Sequence, residues 1–356
     1  MYNLSDYLRS GLLFVHNSLF PQDKRLAQLM IYTTNRCQSR CRHCSIWQKP
    51  HDTLSKDEIV SIMAAKCISR HTTVGLEGGE FVLHPQAAEI LEWFRQHHPN
   101  YTLLSNGLLP QKVIDLTRRY RPKRLYLSLD GNRDTYKKMR GVDGYDKVIR
   151  IIEELKDDVP ISLMFCLSPF NGFTDMEYTI EIAKKHGIDI RIGIYGTMAY
   201  FDTKAKMLQT RGGGDYTSQI PGNIHDTREN FDFVALYAPW HNGNLRLRCH
   251  SITNSLVIHP DGNVPLCQNL DIVMGNVKEK SLDEIFNSAE SIATQCRYSK
   301  ECNRCWINFH RKYDIILLRN LERFFPKRMI ETFYGSYQWC AKSDMTYRNY
   351  LKSIKK

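Results

Sequence analysis

The sequence contains no uninterrupted run of 18 apolar residues, so no helix of this chain is predicted to span a membrane. It has no internal repeat and no collagen-like or low-complexity stretch, which leaves an ordinary globular class. The most apolar early stretch, residues 11–20, lacks the basic region and small-residue cleavage site of a signal peptide. We therefore predict a cytoplasmic chain whose N-terminal segment, residues 1–27, is helical.

Cysteine, by contrast, is abundant, with 11 in 356 residues. An odd number in a secreted chain would leave one thiol unpaired. In a reducing compartment, clustered cysteines more often hold metal or carry out redox chemistry. The length suggests one large domain with a smaller appendage, or two domains.

The positive charge of the chain is concentrated at its C-terminal end. The formal net charge is +11, and from Trp306 onward 11 Lys and Arg residues stand against 4 Asp and Glu residues. A basic segment suggests an anionic partner such as RNA, and aromatic side chains such as Phe309 and Trp339 could stack on bases. Aromatics at helical spacing more often form core. Residues 306–356 are therefore interpreted as a helical tail, and nucleic acid is the less favoured partner.

Six short apolar or β-branched runs alternate with segments of helical periodicity in the first two-thirds of the chain. Turn formers bound each run, which is typical of buried strands. The predicted strands are residues 29–33, 72–76, 101–104, 125–129, 161–166 and 190–194. The predicted helices are residues 55–68, 86–97, 110–120, 145–156 and 176–186. This alternation predicts an α/β fold with a parallel sheet that forms part of a barrel.

Polar residues follow the predicted strands at their carboxyl ends, where α/β folds place their chemistry. Beyond the sixth strand, residues 196–248 break the pattern and include a Gly-Gly-Gly-Asp run at 212–215, so we interpret them as a connecting or substrate loop. Further on, residues 251–259 and 263–267 flank Pro260-Asp261-Gly262, a strong hairpin signal. A helix is predicted at residues 281–293.

Cys37, Cys41 and Cys44 form a C-x3-C-x2-C pattern in one predicted loop. Thiolates bind iron–sulfur clusters, and a cubane normally takes four of them. Three thiolates would leave one iron open, as catalytic metal sites require. The alternatives are a chance grouping or zinc binding, although zinc ligands usually come in pairs separated by a long gap.

The run CQSRCRHC, from Cys37 to Cys44, resembles the signature of the radical S-adenosylmethionine (SAM) superfamily. The resemblance implies a partial (β/α)6 barrel and a [4Fe–4S] cluster whose open iron is chelated by the amine and carboxylate of S-adenosylmethionine. It implies that an electron from the cluster cleaves a carbon–sulfur bond, and that the 5′-deoxyadenosyl radical then takes a substrate hydrogen. The sequence departs from the pattern at His43, where family members often carry a different aromatic residue.

The same resemblance, which covers residues 28–195, implies a cofactor pocket. Gly78, Gly79 and Glu80 resemble the motif that binds the methionine amino group, because glycines allow close approach and a carboxylate suits an ammonium. Residues that resemble the ribose, carboxylate and adenine contacts are Ser105, Asn106, Ser128, Asp130 and Gly193. A plain turn is the alternative at Asp130. The run Met139-Arg140-Gly141 is typical of the branch with molybdenum-cofactor, peptide-maturing and sulfatase-maturing enzymes.

A second set of cysteines flanks and follows the predicted hairpin, with Cys249 and Cys267 in a C-x12-G-x4-C spacing and a later C-x2-C. Such a set can hold zinc or an iron–sulfur cluster. The spacing resembles the twitch unit, a shortened SPASM extension. The resemblance implies that residues 249–305 hold one auxiliary [4Fe–4S] cluster on Cys249, Cys267, Cys302 and Cys305. Cys296 is an alternative ligand, and we interpret the remaining cysteines as packed or free thiols, namely Cys67, Cys166 and Cys340.

These patterns together predict a radical SAM oxidoreductase or maturase. The auxiliary cluster would accept an electron from the substrate radical, which suits oxidation or cross-linking of a peptide or small molecule in natural-product, peptide or cofactor biosynthesis. Expected partners are an electron donor such as flavodoxin or ferredoxin and a separate peptide-recognition protein. The alternatives are an RNA or other anionic substrate, or a non-catalytic electron carrier, which would need no cofactor pocket. Tyr195 and Asp215 are unassigned candidates for a substrate-side acid or base.

Overall fold

A computed structural model describes residues 4–196, 201, 231–339 and 345–353. The strands of its main sheet are β1 (Gln28–Tyr32), β2 (Thr73–Glu77), β3 (Tyr101–Ser105), β4 (Arg124–Ser128), β5 (Ile161–Leu167), β6 (Asp189–Ile194) and β7 (Ser255–Ile258). They are ordered β6-β5-β4-β3-β2-β1-β7, and every neighbouring pair is parallel. The α/β fold and the six predicted strands are confirmed, and a seventh strand lies beside β1.

Helices connect the strands and form the tail. Those of the first part are α1 (Leu4–Leu19), α2 (Lys56–Met63), α3 (Ala87–His97), α4 (Pro110–Tyr120), α5 (Arg133–Arg140), α6 (Tyr145–Leu155), α7 (Phe173–His186), α8 (Phe231–Ala235) and α9 (Tyr237–His241). The C-terminal part contains β8 (Asn263–Pro265), β9 (Val273–Asn276), α10 (Leu282–Asn287), α11 (Ala289–Glu301), α12 (Asn308–Leu321), α13 (Lys327–Tyr334) and α14 (Tyr347–Ser353). Among the described residues, no helix combines the length and the apolar character needed to cross a membrane.

Local sequence signals explain several helix ends. Ser55 caps α2 in a capping box, since its hydroxyl accepts from the Glu58 amide and the Glu58 carboxylate accepts from the Ser55 amide. The helix predicted at 281–293 is instead two helices, α10 and α11. Ser288 separates them because its backbone is extended (φ −65°, ψ 154°), and its side chain caps α11 by accepting from the Ser291 amide.

The two faces of the main sheet differ in burial. On the outer face, which packs against the helices, Val74 and Leu76 of β2 are completely buried in the main apolar core. On the inner face, Glu77 of β2, Leu104 of β3 and Tyr126 of β4 are only partly buried, whereas Tyr32, opposite Glu77 on β1, is buried. The middle of the inner face is therefore less completely covered than the outer face.

The predicted hairpin around residue 260 is present only at its turn, where the His259 amide donates to the Asn263 carbonyl at 2.9 Å, and its strands pair elsewhere. The Gly262 amide donates to the His259 carbonyl at 2.9 Å, and Gly262 adopts φ +92°. The strand before the turn is β7, which pairs with β1, whereas β8 after the turn pairs antiparallel with β9. The physical reason is that β1 offers an open edge, and β7 becomes completely buried by joining it.

Candidate functional site

The loop that carries Cys37, Cys41 and Cys44 follows β1 and is fastened to the C-terminal end of α5. The Arg40 amide donates to the Arg140 carbonyl at 2.9 Å, and the Arg42 amide donates to the Met139 carbonyl at 2.8 Å. The Ser39 hydroxyl adds a bond of 3.2 Å to the same Arg140 carbonyl. The middle of the three-cysteine loop is thereby held in one conformation.

The three thiols lie in a mostly buried environment with hydrogen-bond donors around them. Asn106 Nδ2 lies 3.7 Å from Cys37 Sγ, and Arg140 Nη1 lies 3.7 Å from Cys41 Sγ. Burial raises the pKa of Cys37 to about 12, and the neighbouring Cys41 and Cys44 thiols add to the rise. A metal must displace the Cys37 proton to bind, which is the coupling expected of a thiolate site.

Gly78 and Gly79 run directly beneath this loop. A Cβ on Gly78, whose φ is +146°, would lie 2.5 Å from the Thr34 carbonyl oxygen, and a Cβ on Gly79 would lie 2.4 Å from the Arg36 carbonyl oxygen. The Gly79 amide donates to the Thr34 carbonyl at 2.7 Å. Both positions therefore require glycine, because any side chain would push the β2 end away from the cysteine loop.

Glu80 links the ends of β2 and β3. Its carboxylate accepts from the Asn106 amide at 2.7 Å and from the Val82 amide at 3.4 Å. Burial raises the pKa of Glu80 to about 7, although these hydrogen bonds and Arg140 oppose the rise. Asn106 also exchanges 3.4 Å contacts with the Gln38 side chain inside the loop. The structure thus brings the predicted Glu80 and Asn106 together with Cys37.

The predicted residues at the end of β4 have a different setting. Asp130 is completely buried, with Oδ2 accepting from Arg140 Nε at 2.7 Å and Oδ1 accepting from the Cys166 amide at 3.1 Å. Both Asp130 oxygens are therefore engaged with protein groups. Ser128 is buried two residues earlier, and Gly193 pairs with Cys166 across β5 and β6. Roles for these residues in cofactor binding stay predictions.

The four cysteines of the second set are electrostatic neighbours. Burial raises the pKa of Cys305 to about 12, and Cys267 and Cys302 add to the rise. Burial also raises the pKa of Cys249, with contributions from Asp314, Cys305 and Cys267. Thiols within electrostatic reach of one another supply the donor type of a thiolate-ligated centre. No three of the described His, Cys, Asp and Glu side chains converge closely enough to hold a single metal ion, so this fit rests on the donor chemistry, since thiols are the ligands that iron–sulfur clusters take.

The other cysteines lie elsewhere. Cys296 is exposed on α11, whereas Cys67 is buried and its amide donates to Asp283 Oδ1 at 2.8 Å. Cys166 is half-buried on β5. Cys340 and the acid–base candidate Asp215 lie outside the described residues. Tyr195 is buried, and its ring lies edge-on to His43 with a centroid separation of 6.5 Å.

A packed group of side chains joins the two cysteine sets. Met30, Tyr32 and Val257 form a small buried cluster on the inner face, and Cys37 and Cys44 pack against it. On its other side, the side-chain amide of Gln268, the residue after Cys267, donates to the Tyr32 hydroxyl and contacts Met30 Sδ at 3.1 Å. A single layer of β1 and β7 side chains therefore connects the two sites.

Sequence patterns missed three charged residues at these sites. In the sequence, Arg140 stands out only as part of the run Met139-Arg140-Gly141, which assigns it no role. No motif or spacing in the sequence points to Arg311 on α12. Glu77 had a usable signal, since it is an acidic residue at an inner-face position directly before Gly78. A Cβ on Gly75 would lie 3.4 Å from Glu77 Oε1 and 3.8 Å from Met30 Cγ, which places the Glu77 carboxylate inside the half-barrel.

Comparison with known protein families finds two matches along the chain. The model of the radical SAM superfamily matches residues 31–183, which contain the three-cysteine loop and Gly78 to Glu80. The model of an iron–sulfur cluster-binding domain, SPASM, matches residues 249–306, which contain the second cysteine set. The two matches explain both cysteine sets and imply S-adenosylmethionine and [4Fe–4S] clusters as cofactors.

Similar proteins with a named activity or pathway have low sequence identity to this chain, but they align over most of its length. A probable GTP 3′,8-cyclase of Saccharolobus solfataricus is 24% identical over 300 residues, spanning 76% of this chain and 95% of the relative. The antilisterial bacteriocin subtilosin biosynthesis protein AlbA of Bacillus subtilis is 23% identical over 310 residues, spanning 78% of this chain and 68% of AlbA.

Among solved structures, Streptococcus suis SuiB bound to S-adenosylmethionine has a similar fold. The TM-score is 0.58 at 12% identity, and the alignment covers 86% of this chain and 78% of SuiB. SuiB bound to its precursor peptide SuiA aligns with a TM-score of 0.57 at 13% identity over 82% of this chain and 72% of SuiB. At these identities the likeness supports the fold, a half-barrel with a C-terminal extension.

Proposed function

This chain belongs to the radical SAM superfamily and is an enzyme with a C-terminal SPASM domain, and from this premise we propose that it oxidises or cross-links a peptide. The observation that carries the proposal is the loop of Cys37, Cys41 and Cys44 packed on Gly78 and Gly79, together with the contacts of Gln268, the residue after Cys267, to the side chains that pack on that loop. Cleavage of S-adenosylmethionine would begin the reaction. The proposed setting is cytoplasmic, with flavodoxin or ferredoxin as the electron donor.

At the first site, Cys37, Cys41 and Cys44 would hold a [4Fe–4S] cluster with one iron left for the cofactor. Such a cluster, with S-adenosylmethionine bound, supplies a 5′-deoxyadenosyl radical that takes a hydrogen atom. The chain contributes the binding surface, since Gly78 and Gly79 let the β2 end pack directly on the backbone of the cysteine loop and Glu80 is an acceptor fixed beside that loop. We assign the ribose and carboxylate contacts to Ser105, Asn106, Ser128 and Asp130, and the adenine contact to Gly193.

At the second site, Cys249, Cys267, Cys302 and Cys305 would hold an auxiliary [4Fe–4S] cluster without an open position. Loss of a hydrogen atom leaves a substrate radical, which becomes a closed-shell oxidised product only when it loses one further electron and a proton, and this centre would receive that electron. The contacts of Gln268 with Tyr32 and Met30 support this role, because they join the second cysteine set to the side chains that pack on Cys37.

A peptide is the substrate we favour. Two of the similar proteins are connected with peptides by name. One is a bacteriocin biosynthesis protein, and the other is SuiB, whose structure was solved with its precursor peptide SuiA. A separate peptide-recognition protein is the proposed partner. The second candidate is a nucleotide, because the Saccharolobus cyclases align over 95% of their own length with this chain.

The test is anaerobic reconstitution with iron and sulfide, followed by dithionite reduction with S-adenosylmethionine. We expect about eight irons per chain and formation of 5′-deoxyadenosine. About four irons together with bound zinc would overturn the role of the second site. Absence of 5′-deoxyadenosine from fully loaded protein, with GTP and with peptides encoded beside its gene supplied in turn, would overturn the proposal as a whole.

Paired cysteine variants separate the two sites. Cys302→Ala/Cys305→Ala should retain the first cluster and 5′-deoxyadenosine formation but lose the oxidised product. Cys296→Ala is the matched control, because Cys296 is exposed and outside the proposed ligand set. It should keep about eight irons. Loss of about four irons in Cys296→Ala would instead make Cys296 an auxiliary ligand.

A further inference from the structure

Each cysteine set has one buried arginine beside it, and each of these arginines forms an ion pair with a buried aspartate. Arg140 pairs with Asp130 beside the three-cysteine loop, and Arg311 pairs with Asp314 beside the second set. Buried ion pairs are costly to desolvate and contribute little net stability. Two such pairs at the two cysteine sets therefore call for a role connected with the thiolates.

The Arg140 side chain is divided between its aspartate and a thiol. Nε donates to Asp130 Oδ2 at 2.7 Å, while Nη1 points to Cys41 Sγ at 3.7 Å. Arg140 is 8% exposed and Asp130 is completely buried, so water screens this charge poorly. Different nitrogens of the guanidinium contact the carboxylate and the sulfur, so the positively charged group is the one in direct contact with Cys41.

The backbone of Arg140 also supports the loop. Its carbonyl accepts from the Arg40 amide at 2.9 Å and from the Ser39 hydroxyl at 3.2 Å. Gly141 follows with φ +67°, and a Cβ there would lie 2.8 Å from the Arg40 carbonyl oxygen. One residue therefore fixes the loop through its carbonyl and contacts a thiol through its side chain.

Arg311 joins the segments that carry the second cysteine set. Its Nε donates to the Cys305 carbonyl at 2.9 Å, and its Nη1 donates to the Leu247 carbonyl at 3.2 Å and to Asp314 Oδ2 at 3.0 Å. Asp314 in turn accepts from the amide of His250, the residue after Cys249, at 2.9 Å. The Arg311–Asp314 pair thus connects the Cys249 segment to the Cys302–Cys305 loop.

We propose that Arg140 and Arg311 are positioning residues that set the reduction potentials of the first and second clusters independently of each other. The inference rests on the proposed function, because it needs both clusters. A fixed positive charge beside a thiolate ligand stabilises the reduced cluster, which carries one more negative charge, and so raises its potential. Arg140 acts through its contact with the Cys41 sulfur, whereas Arg311 acts from the Cys305 segment, to whose carbonyl it donates.

The experiment is an EPR-monitored redox titration of reconstituted protein without substrate. Arg140→Met should lower the reduction potential of the first cluster by at least about 59 mV. For a one-electron couple, this shift changes the reduced-to-oxidised ratio tenfold at a given potential. The second cluster should keep its potential. Arg311→Met should do the reverse, and Arg140→Lys should recover part of the loss because it restores the charge.

Matched variants distinguish an effect of the lost charge from an effect of misfolding. Arg133→Met on the same helix α5 removes an exposed arginine that pairs with Asp146, and it should leave both potentials unchanged. Arg140→Met leaves Asp130 buried without its partner, so Arg140→Met/Asp130→Asn removes both charges and serves if the single variant fails to load iron. The double variant should still lower the potential of the first cluster, since its thiolate loses the donor.

Unchanged potentials in iron-loaded Arg140 and Arg311 variants would overturn the inference. So would equal shifts of both clusters in either variant, because these would indicate a general loosening of the fold. Wild-type protein that loads only about four irons would contradict the proposed second cluster alone. The Arg140 comparison would then still decide the inference at the first site.

Discussion

Replacing Glu77 by glutamine should stabilise the protein at neutral and alkaline pH. Glu77 lies on the inner sheet face, and within the described ranges of the chain no hydrogen bond or ion pair reaches its carboxylate. Burial alone raises the pKa of Glu77 from its ordinary 4.5 to about 7. Glutamine has the same shape as the protonated acid and carries no charge to desolvate.

The magnitude follows from linkage between protonation and folding. A folded-state pKa of about 7 against 4.5 in the unfolded chain corresponds to about 3 kcal/mol, at about 1.36 kcal/mol per pH unit. Because the folded-state pKa is raised, the stability associated with protonated Glu77 is fully present below pH 4.5 and is lost as pH rises through about 7. The glutamine variant should therefore match wild type near pH 4.5 and exceed it by about 3 kcal/mol above pH 7.

The assay is anaerobic chemical denaturation of both proteins without clusters, at several pH values between 4.5 and 8. Glu80 also has a raised pKa, but it is present in both proteins, so the difference in unfolding free energy isolates Glu77. Glu153→Gln on the exposed side of α6 is the control and should show no such pH-dependent gain. A difference independent of pH, or a glutamine variant less stable than wild type at pH 8, would refute the reasoning.

Three further predictions concern the site and its supports. Gly79→Ala should reduce iron from about eight to about four per chain, because its Cβ would lie 2.4 Å from the Arg36 carbonyl oxygen and displace the first cysteine loop; iron content together with the auxiliary EPR signal checks this. Glu322→Ala should lower the unfolding free energy by about 3 kcal/mol in a denaturant titration, since its carboxylate accepts three hydrogen bonds from the C-terminal tail. Ser55→Ala removes the cap of α2 and should cost about 1 kcal/mol in the same titration, and a loss above 3 kcal/mol would point to a role beyond capping.

The strands and helices of the barrel could be predicted because each has a local cause. Apolar runs bounded by turn formers gave the six strand positions, and Ser55 and Pro110 marked helix starts that the structure retains. The helix α5 was missed because charged residues dominate it and its apolar face is small. Its boundary matters for function, since its last residue is Arg140.

The charged residues of the sites could be predicted only where a motif carries them. Glu80 follows two glycines in a recognisable tripeptide, whereas the thiol contact of Arg140 depends on a fold that brings residue 140 back to residue 41. Arg311 contacts carbonyls 6 and 64 residues away along the chain. Such contacts leave no spacing signal, because nothing local in the sequence requires an arginine there. Glu77 differs, since strand alternation alone places it on the inner face.

The error in the predicted hairpin pairing has a functional consequence. A hairpin would have kept Cys249 and Cys267 within a separate C-terminal unit. Instead, β7 lies parallel to β1 in the main sheet, with Ile31 opposite Ile258. Parallel neighbours end at the same sheet edge, so the chain after β1, which leads to Cys37, and the chain after β7, which leads to Cys267, leave the sheet side by side. The seventh strand therefore determines how close the two cysteine sets lie, and an electron passing between the two proposed clusters would cross the side chains of β1 and β7 rather than a domain interface.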